Sequence, residues 1–332
     1  MIAQIDSSYI RARPWKFWSR LVSYALFEGR PLTTRGRWIN PLVFAHFAIE
    51  KRLPALKKIE KPIFILGTGR SGTTILGIVL SMHREVGFLN EPKALWHAIH
   101  PKDDLIGSYG RNSAQYRLYS SDAPQKVIQA AHRLYGAYLS ATFSRRVVDK
   151  YPELIFRIPF VKTIFPDAKF LFLTRNGWDT CHSISHWSDR LGQQTEYDTH
   201  DWWGANRQKW NLLMEGIIPE HADLAPHAQQ IHPWTKQTDM AATEWIVSMR
   251  EGLSLLKQFP DDVMQVRYET LCKAPQQTIK QIIQFLELSD DDTQFFQYAE
   301  ETLQPTTAKK SFKLNPLIEK PFLKTMRDLG YE

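Results

Sequence analysis

The residues with the clearest chemical content lie in one short run, Ile65 to Thr74, reading ILGTGRSGTT. Gly67 and Gly72 stand where the two glycines of a phosphate-binding loop, G-x-x-x-x-G-K-[ST], would stand. The lysine of that pattern, which reaches the outer phosphates, is replaced by Thr73. The loop still offers successive backbone N–H groups and a helix N-terminus, which together attract an anion. Arg70 adds a positive charge, and Ser71, Thr73 and Thr74 add hydroxyl donors around Gly72. A second constellation follows at Arg175, which ends the run FLFLTR, with Ser183 eight residues later. An arginine at a strand tip and a serine in the next helix can converge on one anion, the guanidinium gripping it bidentately.

These two features argue against ATP chemistry. A triphosphate needs a loop lysine and Mg²⁺, with a carboxylate after an apolar strand to hold the metal. The lysine is missing, and no strand is read as ending in an apolar run plus aspartate. A group of lower charge density than a γ-phosphate suits the loop better. A sulfuryl group is one, and its transfer calls for no metal. A purely structural glycine-rich turn is the alternative for the loop taken alone.

The elements that must position these residues alternate between strand and helix. KPIFILGTG is a short apolar run entering the loop, and TTILGIVLSMH continues with helical spacing. AKFLFLTRN, residues 168–176, is a continuous apolar run of the kind buried on both faces of a parallel sheet. DVMQVRYETL, residues 262–271, is a third strand, followed by a Pro275-led helix. The pattern predicts an α/β fold, a parallel β-sheet flanked by helices in a P-loop-like arrangement, with ligands beyond the carboxyl ends of the strands. Residues 1–60 read as a helical arm broken at Pro31, Pro41 and Pro54, and residues 61–332 as the main domain. Residues from about 187 to 240 read as an aromatic-rich insertion over the ligand edge; with His186 just before and Trp245 just beyond, they bring six tryptophans and five histidines without metal-ligand spacing. Each tryptophan reads as core before it reads as a stacking surface for a sugar.

Strand plus arginine, with serine eight residues on, is the 3′-phosphate pattern of sulfotransferases. The chain resembles the sulfotransferases that use 3′-phosphoadenosine 5′-phosphosulfate, in particular their bacterial and Golgi-type branch. PIFILGTGRSGTT is similar to that family's 5′-phosphosulfate loop. VVDKYPELIFRIPFVKTIFPDAKFLFLTRNGWDTCHS is similar to its lysine-proline segment, strand and 3′-phosphate site, and VMQVRYETLCKAP to its Arg-Tyr-Glu strand end. The resemblance implies that Arg70, Ser71, Gly72, Thr73 and Thr74 hold the 5′-phosphosulfate, that Arg175 and Ser183 hold the 3′-phosphate, and that Tyr268 lies near the adenine. It implies Glu91, in FLNEPKALW, as the base that takes the acceptor's proton, with His83 and His97 in reserve. It implies Lys150, in DKYP, as the cation on the leaving bridging oxygen. An Arg-Lys-Gly run near the C-terminus, which the small cytosolic enzymes carry, is missing. Lys309, Lys310 and Lys313 are candidates to replace it.

Composition sets the remaining expectations. Two cysteines, Cys181 and Cys272, exclude a disulfide framework and suit a reducing compartment. No signal peptide is read at the N-terminus and no run reaches the roughly 20 apolar residues of a membrane span, so a cytoplasmic protein is expected. Residues 1–52 hold nine Lys or Arg against three acids, interleaved with tryptophan. This arm is read as packed on the domain with its basic face in water, or as touching a membrane surface. Nucleic acid is not expected as a partner, because no recognition module accompanies the charge. The acceptor hydroxyl is read as belonging to a carbohydrate, a glycolipid or another large molecule. A P-loop phosphotransferase and a non-catalytic nucleotide-binding or membrane-surface protein on the same fold are the competing readings.

Overall fold

The computed structural model describes residues 5–34, 36–110, 114–194, 198–305 and 311–331. Helices α1 (Ser7–Ala12), α2 (Pro14–Val22) and α3 (Asn40–Glu50) precede the first strand, β1 (Ile63–Gly67). Then come α4 (Thr73–Ser81), β2 (Val86–Asn90), α5 (Lys93–Ile99), α6 (Gln125–Ala141), β3 (Arg146–Lys150), α7 (Ile158–Ile164), β4 (Lys169–Thr174) and α8 (Gly177–Leu191). Three short strands, β5 (Gln193–Gln194), β6 (Thr199–Asp201) and β7 (Gly204–Ala205), form a small antiparallel sheet. Helices α9 (Gln208–Gly216), α10 (Ala228–Ile231) and α11 (Gln237–Gln258) lead to β8 (Val263–Arg267), followed by α12 (Tyr268–Lys273), α13 (Pro275–Phe285), α14 (Thr293–Thr302) and α15 (Pro316–Asp328).

The main sheet is parallel throughout, in the order β2-β3-β1-β4-β8. Its strands are apolar on both faces because both are covered. Phe64, Leu66, Phe170 and Phe172 pack with Trp96, Leu134, Phe160 and Trp245 from α5, α6, α7 and α11. The alternate residues Ile63, Ile65, Leu171 and Leu173 pack on the other side with Leu76, Ile279 and Phe295 from α4, α13 and α14. Each such side chain contributes about 1.5–3 kcal/mol by leaving water. A parallel sheet also puts every carboxyl end on one edge. The loop after β1 therefore meets Glu91 after β2, Lys150 at the end of β3, Arg175 after β4 and Tyr268 after β8.

Strands β2 and β3 were not among the sequence expectations. VGFLN is interrupted by Gly87, and RVVDK has only two consecutive apolar residues, so neither makes a run. In β3 Asp149 follows the pair Val147 and Val148. Its carboxylate is buried against Trp96 Nε1, at 2.9 Å, and the Tyr135 hydroxyl. Burial pushes it up to about 7.

The N-terminal arm departs from expectation in its orientation. Four of its basic residues do not face water: Arg13, Lys16, Arg20 and Arg30 are buried. β2 is an edge strand, and edge carbonyls need partners. Lys16 donates to Val86 O, Arg20 to Phe88 O (3.3 Å), and Arg13 to Met82 O (2.6 Å) just before the strand. Burial, reinforced by Arg13, lowers Lys16 to about 7. Pro41 does not break a helix either; it lies in the first turn of α3, where a missing N–H costs nothing.

Candidate active site at the carboxyl edge of the sheet

The loop between β1 and α4 is a shaped backbone. Arg70 has φ +68° and Gly72 has φ +99°, both in the left-handed region, which is costly for a residue with a side chain. The turn closes through the Ser71 hydroxyl, which donates to Thr68 O at 2.6 Å. Two aromatic rings press on the loop. A Cβ on Gly72 would lie 2.3 Å from the Tyr268 ring, and one on Gly69 would lie 2.4 Å from the Trp202 ring. Both glycines are thus required by close approach, and Gly72 by its φ as well. Thr73 and Thr74 open α4, whose first-turn N–H groups have no intrahelical acceptor and face the loop's concavity.

Arg175 and Ser183 do converge, and Arg70 joins them. Arg70 Nε donates to Ser183 Oγ at 3.1 Å, and Arg175 Nη1 donates to Arg70 O at 3.1 Å. The Arg175 guanidinium stacks 4.5 Å over the Tyr268 ring, while Trp245 Nε1 fixes its main chain through a 3.2 Å bond to Arg175 O. Trp245 is therefore core and support at once. Arg175 Nε is buried and has no partner among the described residues. Two guanidinium groups, a hydroxyl and an unsatisfied N–H in one place make a cradle for a doubly charged anion.

Glu91 and Lys150 meet across the β2–β3 pair. The register sets Asn90 beside Lys150, and Glu91 N donates to Lys150 O at 2.7 Å. Glu91 then turns through a left-handed φ of +50°, and its Oε1 accepts from Lys150 Nζ at 2.5 Å while Oε2 lies 3.2 Å from Lys93 Nζ. Burial opposes the charge on Glu91, but Lys150 and then Lys93 outweigh it and hold the carboxyl well below the usual range. Lys150 is buried; the Glu91 side chain keeps 38% of its surface toward the cavity.

Several residues that no spacing rule flagged complete the wall. Lys209, from α9, lies 3.0 Å from Glu153 and 2.6 Å from Glu244. Glu244 also accepts from Trp202 Nε1 at 2.7 Å, and the Lys209 ammonium lies 4.7 Å over that ring. Burial disfavours Lys209's charge, yet Glu153 and Glu244 raise its pKa well above normal. Glu153 is lowered: burial opposes its charge, and Lys209 and Lys93 override it. A cavity of about 670 Å³ opens above this network, between the loop, Glu91 and Lys150 on one side and Trp187, Trp202 and the arm segment Gly29–Thr34 on the other. It adjoins a second hollow of about 500 Å³ beside Arg70, Arg175, Ser183 and Arg190.

The reserve histidines lie elsewhere. His83 is buried against Ser289 O at 3.0 Å, and His97 packs between Phe44 and Tyr109; neither lines the cavity. Lys309 and Lys310 fall outside the described residues. Lys313 is not among the cavity residues, and its main-chain oxygen accepts from Lys236. Trp203 and Trp210 are fully buried core, whereas Trp187 and Trp202 face the cavity, 5.4 Å apart. Trp187 lies in α8.

The sequence profile of the sulfotransferase family matches residues 62–231, just over half of the chain. The protein-tyrosine sulfotransferase of Drosophila melanogaster is 24% identical over 233 residues, which cover 69% of this chain and 38% of that one. An uncharacterized protein of Aquifex aeolicus (strain VF5) is 22% identical over 236 residues, 70% of this chain and 26% of the other. The matched region thus spans well under half of these two relatives. A sulfotransferase structure from Mycobacterium avium aligns over 99% of this chain and 93% of its own, with a TM-score of 0.49 and 12% identity.

Proposed function

The chain belongs to the sulfotransferase family, and from that premise we propose that it transfers a sulfuryl group from 3′-phosphoadenosine 5′-phosphosulfate to an acceptor hydroxyl. The observation that carries the reading is the Lys150–Glu91 pair at adjacent strand ends, facing a cavity shared with the Gly69–Thr74 loop. The Arg70–Arg175–Ser183 cluster, with its unsatisfied Arg175 Nε, fits a 3′-phosphate. The loop amides, with Ser71, Thr73 and Thr74, fit the 5′-phosphosulfate, and Tyr268 fits the place of the adenine beside Arg175. The donor supplies an activated sulfur and a phosphate leaving group.

Glu91 acts as the base and Lys150 as the cation at the leaving oxygen. With Lys150 on its carboxylate Glu91 is a weak base, because its charge is already satisfied. Lys150 turning toward a phosphate oxygen would release the carboxylate and raise its proton affinity as the acceptor loses its proton. The acceptor O–S bond forms as Glu91 takes the hydroxyl proton, the S–O bond to phosphate breaks, and the electron pair leaves on the phosphate, where the Lys150 ammonium would offset the charge. Donors placed where charge develops are the largest single contribution in such sites. Lys93, Lys209 and Glu153 hold this pair in a fixed field.

The acceptor is read as a carbohydrate, a glycolipid or another large molecule, on the open cavity and the Trp187 and Trp202 faces that line it. Such rings stack on flat sugar surfaces. Incubating the protein with ³⁵S-labelled donor and a cell extract, with the product identified by mass spectrometry, tests the reading. Label in a hydroxyl-bearing product supports it; Mg²⁺-dependent ATP turnover without sulfate transfer would replace it with a phosphotransferase.

A further inference from the structure

Ten of the thirteen well-exposed large hydrophobic side chains among the described residues lie between Ile10 and Leu56. They include Trp15 (50% exposed), Trp18 (60%) and Trp38 (78%). Helix α3 is the clearest case. Its inward positions Val43 and Phe47 are buried, and its outward positions Pro41, Leu42, Ala45, Ala48 and Ile49 are exposed and equally apolar. A helix that is apolar all round belongs in a core or against lipid, and this one has no protein on its outer face among the described residues.

The arm is not free to fold this face away. Arg13, Lys16 and Arg20 tie α2 to the edge of β2. Phe27, in the π-helical turn that continues α2, packs on Phe47 and His46 of α3, so the two helices form one body. The charge around the face is mostly positive, with Asp6 and Glu60 as exposed acids at the two ends of the arm. Between Ser7 and Ile59 the only acids are Glu28, buried under Arg20, and Glu50, half-buried beside His46. Arg11, Arg37 and Arg52 are exposed.

We propose that this arm docks the protein on an anionic lipid bilayer. Trp15, Trp18 and Trp38 would sit at the headgroup level, where indole rings concentrate. Leu42 and Ile49 would enter the acyl boundary, and Arg11, Arg37 and Arg52 would face the headgroup phosphates. A second copy of the chain is a poorer occupant, because it would bring the same arginines into opposition. The contact differs from the sequence expectation: the tryptophans and the outer face of α3 carry it with Arg11, Arg37 and Arg52, since Arg13, Lys16 and Arg20 are spent inside at the edge of β2. The segment Gly29–Thr34 between α2 and α3 also lines the cavity, so a docked arm keeps the candidate site close to the membrane.

Sedimentation of the full chain with phosphatidylcholine vesicles, with and without phosphatidylglycerol, tests this. The protein should pellet with the phosphatidylglycerol vesicles, with a blue shift of tryptophan fluorescence and release at high salt. Leu42→Glu/Ile49→Glu should weaken the partition at least about tenfold, because two charges enter an apolar boundary. Trp18→Ala/Trp38→Ala, a change at side chains that support no core, should weaken it as well. Both variants should keep the wild-type melting temperature and affinity for 3′,5′-adenosine bisphosphate, so loss of docking is separable from failure of the nucleotide site. Protein that stays in the supernatant, or variants that partition like wild type, would overturn the proposal. So would a solution dimer that Leu42→Glu/Ile49→Glu dissociates, since a second copy would then cover the face.

Discussion

Replacing Lys150 with alanine separates the two jobs assigned to it. In the folded protein it sits 2.5 Å from Glu91 Oε1, with Lys93 3.2 Å from the other oxygen. Unit charges about 4 Å apart attract by about 4 kcal/mol at a protein-like dielectric. Glu91 keeps 38% of its side chain exposed, so solvent screening reduces this to about 1–3 kcal/mol. Losing it should raise the Glu91 pKa by about one to two pH units. The sign follows from the depressed value. A carboxyl held low stays ionised through the mildly acidic range, and its stabilising ion pair is lost only as pH falls through the depressed pKa. The variant's acid limb should therefore move upward in pH. Removing a cation from the leaving oxygen should separately cost about 10²–10³ in turnover, or about 2.7–4 kcal/mol. Single-turnover transfer of ³⁵S-labelled sulfate as a function of pH reads both effects. Turnover within a few-fold of wild type, with an unmoved acid limb, would refute the assignment of Lys150 and the account of Glu91's low pKa.

Arg175→Ala should weaken binding of 3′,5′-adenosine bisphosphate at least tenfold, corresponding to roughly 1.5–3 kcal/mol for a charge-assisted contact, as read by calorimetry; unchanged affinity would remove it from the site. Gly69→Ala, which drives a methyl into the Trp202 ring, should impair nucleotide binding more than it lowers the melting temperature, because the ring sits on the loop rather than in the sheet core. Asp149→Asn should flatten the pH dependence of stability. Its raised pKa means the neutral form favours folding fully below the unfolded value near 4, a benefit lost as pH rises through about 7, so wild type should lose stability across that window and the variant should lose less. Thermal melts at several pH values decide it.

The parts of the structure legible in the sequence were those with long local signals. β1, β4 and the loop of Gly67 to Gly72 follow from continuous apolar runs that end in glycine or arginine, and β8 from the stretch DVMQVRYETL ahead of a Pro275-led helix. The Arg175–Ser183 convergence follows from strand-then-helix spacing. β2 and β3 were not legible, because Gly87 and a two-residue valine pair leave no run, and their stability comes from sheet pairing and the helices above them. The Lys93–Glu153–Lys209–Glu244 network was invisible for a different reason. Its members come from segments far apart in the chain, and only the fold brings them into contact. The arm shows what periodicity leaves open: helical spacing marks two faces but does not say which is buried. Lys16 and Arg20 turned inward because an edge strand offered bare carbonyls, and the tryptophans were left outside.

The central claim is sulfuryl transfer with Glu91 as base, and the most direct measurement compares wild type with Glu91→Gln in one assay. Purified protein is incubated with ³⁵S-labelled 3′-phosphoadenosine 5′-phosphosulfate and extract acceptors, and donor binding is measured in parallel. The account predicts label in an acceptor hydroxyl for wild type. For Glu91→Gln it predicts normal donor affinity with turnover lower by about 10²–10⁴. No transfer by wild type, or equal transfer by both proteins, would contradict it.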